Sequence, residues 1–180
     1  FERKGLGGSA TYFSAASGLL CNPQVIAVLG EDFDRSKLNF LVERGVDLSS
    51  VTTHNGKTFQ WQGTYGNDLG EATTLRTDLN VFADFKPCLN EAQKACDFLF
   101  LANIIPSLQL EVVEQSHAKF VAADTMNLWI NTERPTLLKV LAKIDLLVLN
   151  EAEANLLSGQ KNIVDSAHEI QKMGPRTIVI

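Results

Sequence analysis

Several things are scarce in this sequence, and each scarcity excludes a class of protein. No stretch approaches the ~18 consecutive apolar residues of a bilayer-spanning helix, because Arg, Lys, Asp or Glu interrupts each hydrophobic run. No membrane partner is expected. Cys21, Cys88 and Cys96 are odd in number and form no C-x-x-C pair, which argues against a disulfide framework and for a reducing, cytoplasmic compartment. His54, His117 and His168 have no ligand spacing with one another or with cysteine, so no zinc site is expected. Positive charge is in deficit: Lys+Arg 16 against Asp+Glu 21 gives a net charge of −5, with no basic cluster to compensate locally. That balance opposes the field of a polyanion, and nucleic acid drops out as a partner. Neither a G-x-S-x-G elbow nor a G-x-x-x-x-G-K-[ST] phosphate loop occurs, which removes typical serine hydrolases and Walker-type NTPases.

The chain that remains has 180 residues, 45% hydrophobic and 8% aromatic, enough for a sizeable core. It opens on Phe1 without a signal-like segment and closes on the strand-like Thr177-Ile178-Val179-Ile180, so we expect a piece of a longer protein. Five short apolar runs, residues 24–29, 98–102, 119–123, 145–149 and 177–180, read as buried strands. Between most of them lie helical spacings: Leu38, Leu41 and Val42 before Gly45; Leu108, Val112 and Val113 before His117; Leu137, Leu138 and Leu141 before Lys143; Ala167, Ile170 and Met173 before Gly174. A further helix is expected over residues 11–20. Gly45 and Gly174 suit helix C-termini and Pro135 a first turn. Near-continuous apolar strands alternating with amphipathic helices predict an α/β fold with a mostly parallel sheet covered on both faces. Residues 58–65 and 72–77 depart from that pattern, being β-prone and joined by the turn-rich 66–70, and predict an antiparallel hairpin. One face would carry Phe59, Trp61 and Tyr65, and would cover a ligand, a partner subunit, or helices of its own domain.

Parallel sheets bind ligands beyond the carboxyl ends of their strands. Four of the predicted strands run directly into polar segments: Gly30-Glu31-Asp32, Asn103, Asp124-Thr125-Met126-Asn127 and Asn150-Glu151-Ala152-Glu153. Glu31 and Asp32 read simply as polar strand ends. Asn150 with Glu153 reads as a capping box, and equally as a carboxylate in a first helical turn able to hold Mg²⁺ through water. Asp124 with Asn127 could grip a hydroxyl-rich ligand or only satisfy loop amides. Gly5-Leu6-Gly7-Gly8-Ser9-Ala10 fits the G-x-G-x-x-A dinucleotide fingerprint, which would make the chain a nucleotide-dependent oxidoreductase using Gly5, Gly7 and Ala10. That fingerprint requires a hydrophobic strand before Gly5, and Phe1-Glu-Arg-Lys4 does not supply one. The same glycines before a helix place open backbone amides at its positive end and permit a hinge, with Ser9 as an N-cap.

Taken in order, Gly7-Gly8-Ser9-Ala10, Gln24-Val-Ile-Ala-Val-Leu-Gly-Glu-Asp32, Arg44-Gly-Val-Asp47, the hairpin from Thr58-Phe59, Asp124-Thr-Met-Asn127 and Asn150-Glu-Ala-Glu153 resemble the PfkB, or ribokinase-like, family of carbohydrate and nucleoside kinases. The resemblance spans nearly the whole chain. It implies a ribokinase-like three-layer α/β sandwich, with a central, mostly parallel sheet and a small antiparallel β lid. Residues 1–57 and 78–180 would form the large domain and residues 58–77 the lid. The implied activity is phosphorylation of a sugar or nucleoside hydroxyl, with ATP and Mg²⁺. By the same resemblance Gly7, Gly8, Ser9 and Tyr12 lie at the substrate and hinge, and Phe59 and Trp61 cover the sugar. Asp124 and Asn127 lie beside the transfer site, Asn150 and Glu153 organise the nucleotide phosphates, and Glu153 meets the metal through water. Tyr12 stands where many relatives carry an Asn that contacts substrate hydroxyls, a departure from the ribose and fructose pattern. The family's N-terminal strand with its substrate-binding acid is not found before Gly7, and its G-A-G-D-type segment is absent, so the catalytic base and adenine pocket are expected beyond Ile180. Without them this chain alone is expected to be inactive. A homodimer through the lid, and a non-catalytic module of the same fold, are further readings.

Overall fold

The computed structural model describes residues 5–65 and 72–180. They form two compact units, residues 1–86 and 87–180, divided after Lys86.

In the first unit, helix α1 (Ser9–Ser17) starts earlier than the 11–20 expected and stops at Gly18, where the chain tightens into consecutive turns. Strand β1 (Ala27–Gly30) is followed by a short 3₁₀ turn that Asp34 caps through the Ser36 amide, and by helix α2 (Asn39–Val42). The chain then turns through Gly45 at φ 77, a left-handed conformation that favours glycine. Strand β2 (Val51–His54) runs parallel to β1, pairing Ala27 with Val51 and Gly30 with His54. Leu38, Leu41 and Val46 are the buried centre of this half. Strands β3 (Gln60–Tyr65) and β4 (Ala72–Asp78) form the expected antiparallel hairpin, with a register shift at Gln62/Gly63. The connection read at residues 66–70 lies outside the described residues.

Among the described residues the first apolar run, expected in one parallel sheet with the later four, does not pair with them. It pairs with β2, in a separate two-stranded sheet. Only Val51 of β2 is buried, so no apolar run marked this strand in the sequence.

The second unit is the parallel α/β module that periodicity predicts. After the short helix α3 (Glu91–Lys94), strands β5 (Phe98–Leu101), β6 (Phe120–Asp124), β7 (Leu146–Val148) and β8 (Thr177–Val179) lie side by side in chain order. Helices α4 (Pro106–Gln115), α5 (Asn127–Thr132), α6 (Arg134–Leu141), α7 (Glu151–Ser158) and α8 (Ile163–Gln171) carry the crossovers. The helices flank the sheet and close a core in which Val140, Leu141, Leu147, Leu157 and Ile170 are fully sealed from solvent. Gly174, at φ 145, abuts the α6 end so closely that a Cβ would lie 2.1 Å from the Leu141 carbonyl oxygen. Parallel direction and register set Asp124 abreast of Val148, so the polar segments after β6 and β7 emerge on the same sheet edge.

Candidate functional site at the strand ends

The edge beyond β5, β6 and β7 is tied together from beneath. Gln109, buried in α4, donates from Nε2 toward the carbonyls of Leu101 (3.0 Å), Ala102 (3.1 Å) and Asp124 (3.1 Å). One amide thereby holds the ends of β5 and β6 in fixed separation. The Trp129 indole donates from Nε1 to Asn103 Oδ1 at 2.9 Å, fixing the loop after β5 against α5. Asp124 and Asn127 are half-buried at the end of β6, and Asn127 opens α5 behind Met126, whose side chain makes no cap. Between them Thr125 is buried, and its hydroxyl has no hydrogen-bond partner among the described residues.

After β7, Asn150 and Glu153 form a complete capping box: Glu153 N–H donates to Asn150 Oδ1 (2.9 Å), and Asn150 N–H donates to Glu153 Oε2 (3.0 Å). The structural reading of this pair is therefore real. Burial pushes the Glu153 carboxyl above its ordinary value, and the hydrogen bonds from Asn150 pull only partly the other way. A half-buried carboxylate in a first helical turn, desolvated and without a basic partner among the described residues, gains from an approaching cation. Among the described residues no cluster of three or more His, Cys, Asp or Glu could cage a metal. The donor set thus fits Mg²⁺ only in its sparing mode, one carboxylate with waters and ligand oxygens.

The remaining sequence candidates lie in the first unit. Gly8, at φ 94, is the N-cap of α1, so Ser9 is the first helical residue and not the cap expected of it. A Cβ on Gly5, Gly7 or Gly8 would meet nothing within 4 Å, so this backbone is open to approach. Tyr12 is exposed on α1. Phe59 packs edge-on against Phe82, with ring centroids 5.4 Å apart. Trp61 folds over Gly63 and donates from Nε1 to Thr74 Oγ1 at 3.1 Å. Both rings are half-buried within their own unit. The side chain of Tyr65 lies outside the described residues.

Asp32 has a specific task that the plain strand-end reading did not anticipate. Its Oδ1 accepts from Thr58 N–H (2.7 Å) and Thr58 Oγ1 (2.8 Å), while Thr58 Oγ1 accepts from Gly30 N–H at 2.9 Å. The Thr58 carbonyl accepts from Asn80 Nδ2 at 2.9 Å. Gly30 sits so close to the segment entering the hairpin that a Cβ would lie 2.4 Å from its backbone. The end of β1 is thus the socket that holds the hairpin's root. Asp47 has a comparable local role: its carboxylate accepts from Ser49 N–H and Gln24 Nε2, which hold its pKa below the ordinary value.

The parallel sheet with flanking helices, the small antiparallel sheet and polar strand ends define an α/β fold of the ribokinase-like class. A family model, the pfkB family of carbohydrate kinases, matches residues 2–180. The chain belongs to that family. Among solved structures it is similar to a protein assigned as ribokinase II from E. coli, whose ligand-free form has TM-score 0.75 and 16% identity, over 100% of this chain and 66% of that one. The form of that protein in complex with ATP and Mg²⁺ has TM-score 0.72 and 17% identity, over 99% and 65%. A fructokinase from Xylella fastidiosa has TM-score 0.66 and 20% identity, over 98% and 62%. The chain thus spans no more than about two thirds of the length of these structures. No curated protein sequence matches it.

Proposed function

We propose that this chain is the central part of a kinase that transfers the terminal phosphoryl group of ATP to a hydroxyl of a small sugar or nucleoside. The observation that carries the reading is the convergence of Asp124 and Asn127 with Asn150 and Glu153 on adjacent strand ends of a pfkB-family α/β sheet. Asp124 and Asn127 orient the acceptor hydroxyls, and the rigid ties through Gln109 and Trp129 keep that corner from shifting when charge moves. Glu153, with Asn150 holding its carboxylate, receives the water shell of Mg²⁺. When bound, the ion neutralises charge on the phosphates and polarises the transferred group. Gly7 and Gly8 supply the hinge and open amides beside the substrate, with Ser9 and Tyr12 on the first turn of α1. The hairpin from Thr58 is the lid, with Phe59 and Trp61 as its apolar cover, and its edges, unpaired among the described residues, are where a second copy would pair. In this reading the base that accepts the hydroxyl proton, and the adenine pocket, are supplied by residues past Ile180. The proposed setting is cytoplasmic, read from three cysteines that form no C-x-x-C pair.

The test is phosphoryl transfer from radiolabelled ATP to a panel of sugars, sugar acids and nucleosides, run with the complete protein and with residues 1–180 alone. Acceptor-dependent transfer by the complete protein, absent from the 180-residue chain, is expected. No acceptor-dependent transfer by the complete protein would overturn the reading, and turnover by the short chain would relocate the base, with Asp124 the first suspect.

A further inference from the structure

At the root of the hairpin, on the face opposite Trp61, lies a polar recess of about 230 Å³ lined by Lys57, Gln60, Arg76, Asp78 and Asn80. Gln60 stands directly across from Asp78, and Arg76 is two residues from Asp78 on the same strand, so the pleat brings all three to one face. Asp78 accepts from Arg76 Nε at 2.9 Å. That single bond orients the guanidinium and leaves its two terminal nitrogens without a protein partner among the described residues. Lys57 has no carboxylate partner there either, and the Gln60 side-chain amide makes no hydrogen bond among them. Two cations against one carboxylate give the recess a formal charge of +1, in a chain whose net charge is −5. General electrostatics repel an anion from this protein; this recess attracts one.

The floor is rigid. Both segments that bound the recess are pinned, Thr58 on Asp32, Asn80 on the Thr58 carbonyl, and Val81 N–H on the Lys57 carbonyl at 3.1 Å. The backbone beneath the donors is thus fixed, while the Arg76 side chain, 69% exposed, stays accessible to a ligand. The volume falls below the roughly 300 Å³ at which sites for whole drug-sized ligands begin, and suits the charged end of a longer molecule.

We propose that this recess binds an oxyanion, the carboxylate or phosphate group of a small hydroxylated ligand. Lying on the face opposite Trp61, which the kinase reading turns toward the acceptor, the recess is a separate site whose ligand is not the acceptor. Arg76 engages the anion through its terminal nitrogens, Lys57 adds a point charge, and the Gln60 amide donates to it. Asp78 positions the guanidinium and does not touch the ligand.

The test is a titration of inorganic phosphate, D-gluconate and D-glucose into the isotope-labelled complete protein, following the Arg76 Nε and the Gln60 and Asn80 side-chain amides by NMR. Saturable shifts at these groups with phosphate, gluconate or both, and not with glucose, are expected, and the two anions read separately tell which oxyanion the recess takes. Arg76→Gln and Lys57→Gln each weaken binding on the order of 10-fold, whereas Lys161→Gln, at an exposed site elsewhere, leaves it unchanged. No saturable shift with either anion overturns the proposal, as does binding that survives both substitutions together or an equal response to glucose. The kinase reading fails separately: anion binding in a complete protein that phosphorylates nothing sinks that reading and keeps the recess. Transfer to neutral sugars alone, with no anion binding, does the reverse.

Discussion

In residues 87–180, four parallel strands share one apolar core in which Leu137, Val140, Leu141, Leu147, Leu157 and Ile170 are closed to solvent. In residues 1–86 a similar length of chain is spread over two two-stranded sheets and a small cluster around Leu38, Leu41 and Val46. The second half is held by hydrophobic burial. The first depends more on individual polar contacts, above all the Asp32–Thr58–Asn80 chain at the hairpin root. The difference matches two proposed tasks: strand ends that must stay fixed while phosphate charge is transferred and, in the hairpin of the first half, a cover that must open and close. Elements that move in a catalytic cycle come from the less stable parts of a structure.

The sharpest way to break this contrast is to open a cavity in each half. Leu147→Ala, at a site with no exposure, should cost about 3–5 kcal/mol, and Leu41→Ala, in the smaller cluster, should fall nearer about 2–3 kcal/mol because its surroundings can collapse into the space. Urea unfolding followed by tryptophan fluorescence measures both, with Trp129 reporting one half and Trp61 the other. Equal costs would remove the distinction. Gly30→Ala comes next. The new Cβ would collide with the hairpin root, so about 1–3 kcal/mol is expected, with faster hydrogen exchange confined to β3 and β4. Exchange that speeds up across residues 87–180 as well would show that the socket is not a local device. A smaller effect belongs to Asn150→Ala, about 1 kcal/mol by loss of the α7 cap, read from the denaturation midpoint.

The second half was the more legible in sequence, and the reason is physical. Parallel strands that take helices on their faces are nearly all apolar, so β5, β6, β7 and β8 stand out as runs even though Phe98, Val148 and Val179 are exposed. In β2, by contrast, Val51 alone is buried and Thr52, Thr53 and His54 face solvent, which leaves no run to see. The strand-end candidates could be named from sequence because parallel strands share a direction, and the Asn150–Glu153 box was readable from spacing alone. Gln109 was missed although a signal existed. It occupies the core-facing stripe of α4 with Pro106 and Val113, and a polar residue at a buried helical position must find partners. Asp32 was read as a polar strand end because its partner Thr58 lies 26 residues away, and no periodicity links the two. The aromatic face expected of the hairpin is reshaped by the bulge at Gln62/Gly63, with Trp61 folded over Gly63.

The central claim is that Glu153 serves the metal–phosphate corner as well as the helix cap, and Glu153→Gln separates those roles because it keeps size and hydrogen bonding but removes charge. Burial raises the folded-state pKa of Glu153, so its contribution to stability is full below the ordinary carboxylate value of 4.5 and is lost as pH rises through the folded value. Wild type should therefore lose stability relative to Glu153→Gln as pH rises from that value toward neutrality. The decisive measurement is the Mg²⁺ concentration required for half-maximal phosphoryl transfer by the complete protein and by its Glu153→Gln variant, with melting temperatures recorded alongside. We predict an increase on the order of 10-fold with no loss of melting temperature at neutral pH. An unchanged Mg²⁺ requirement would contradict the account and leave Glu153 as a helix cap only.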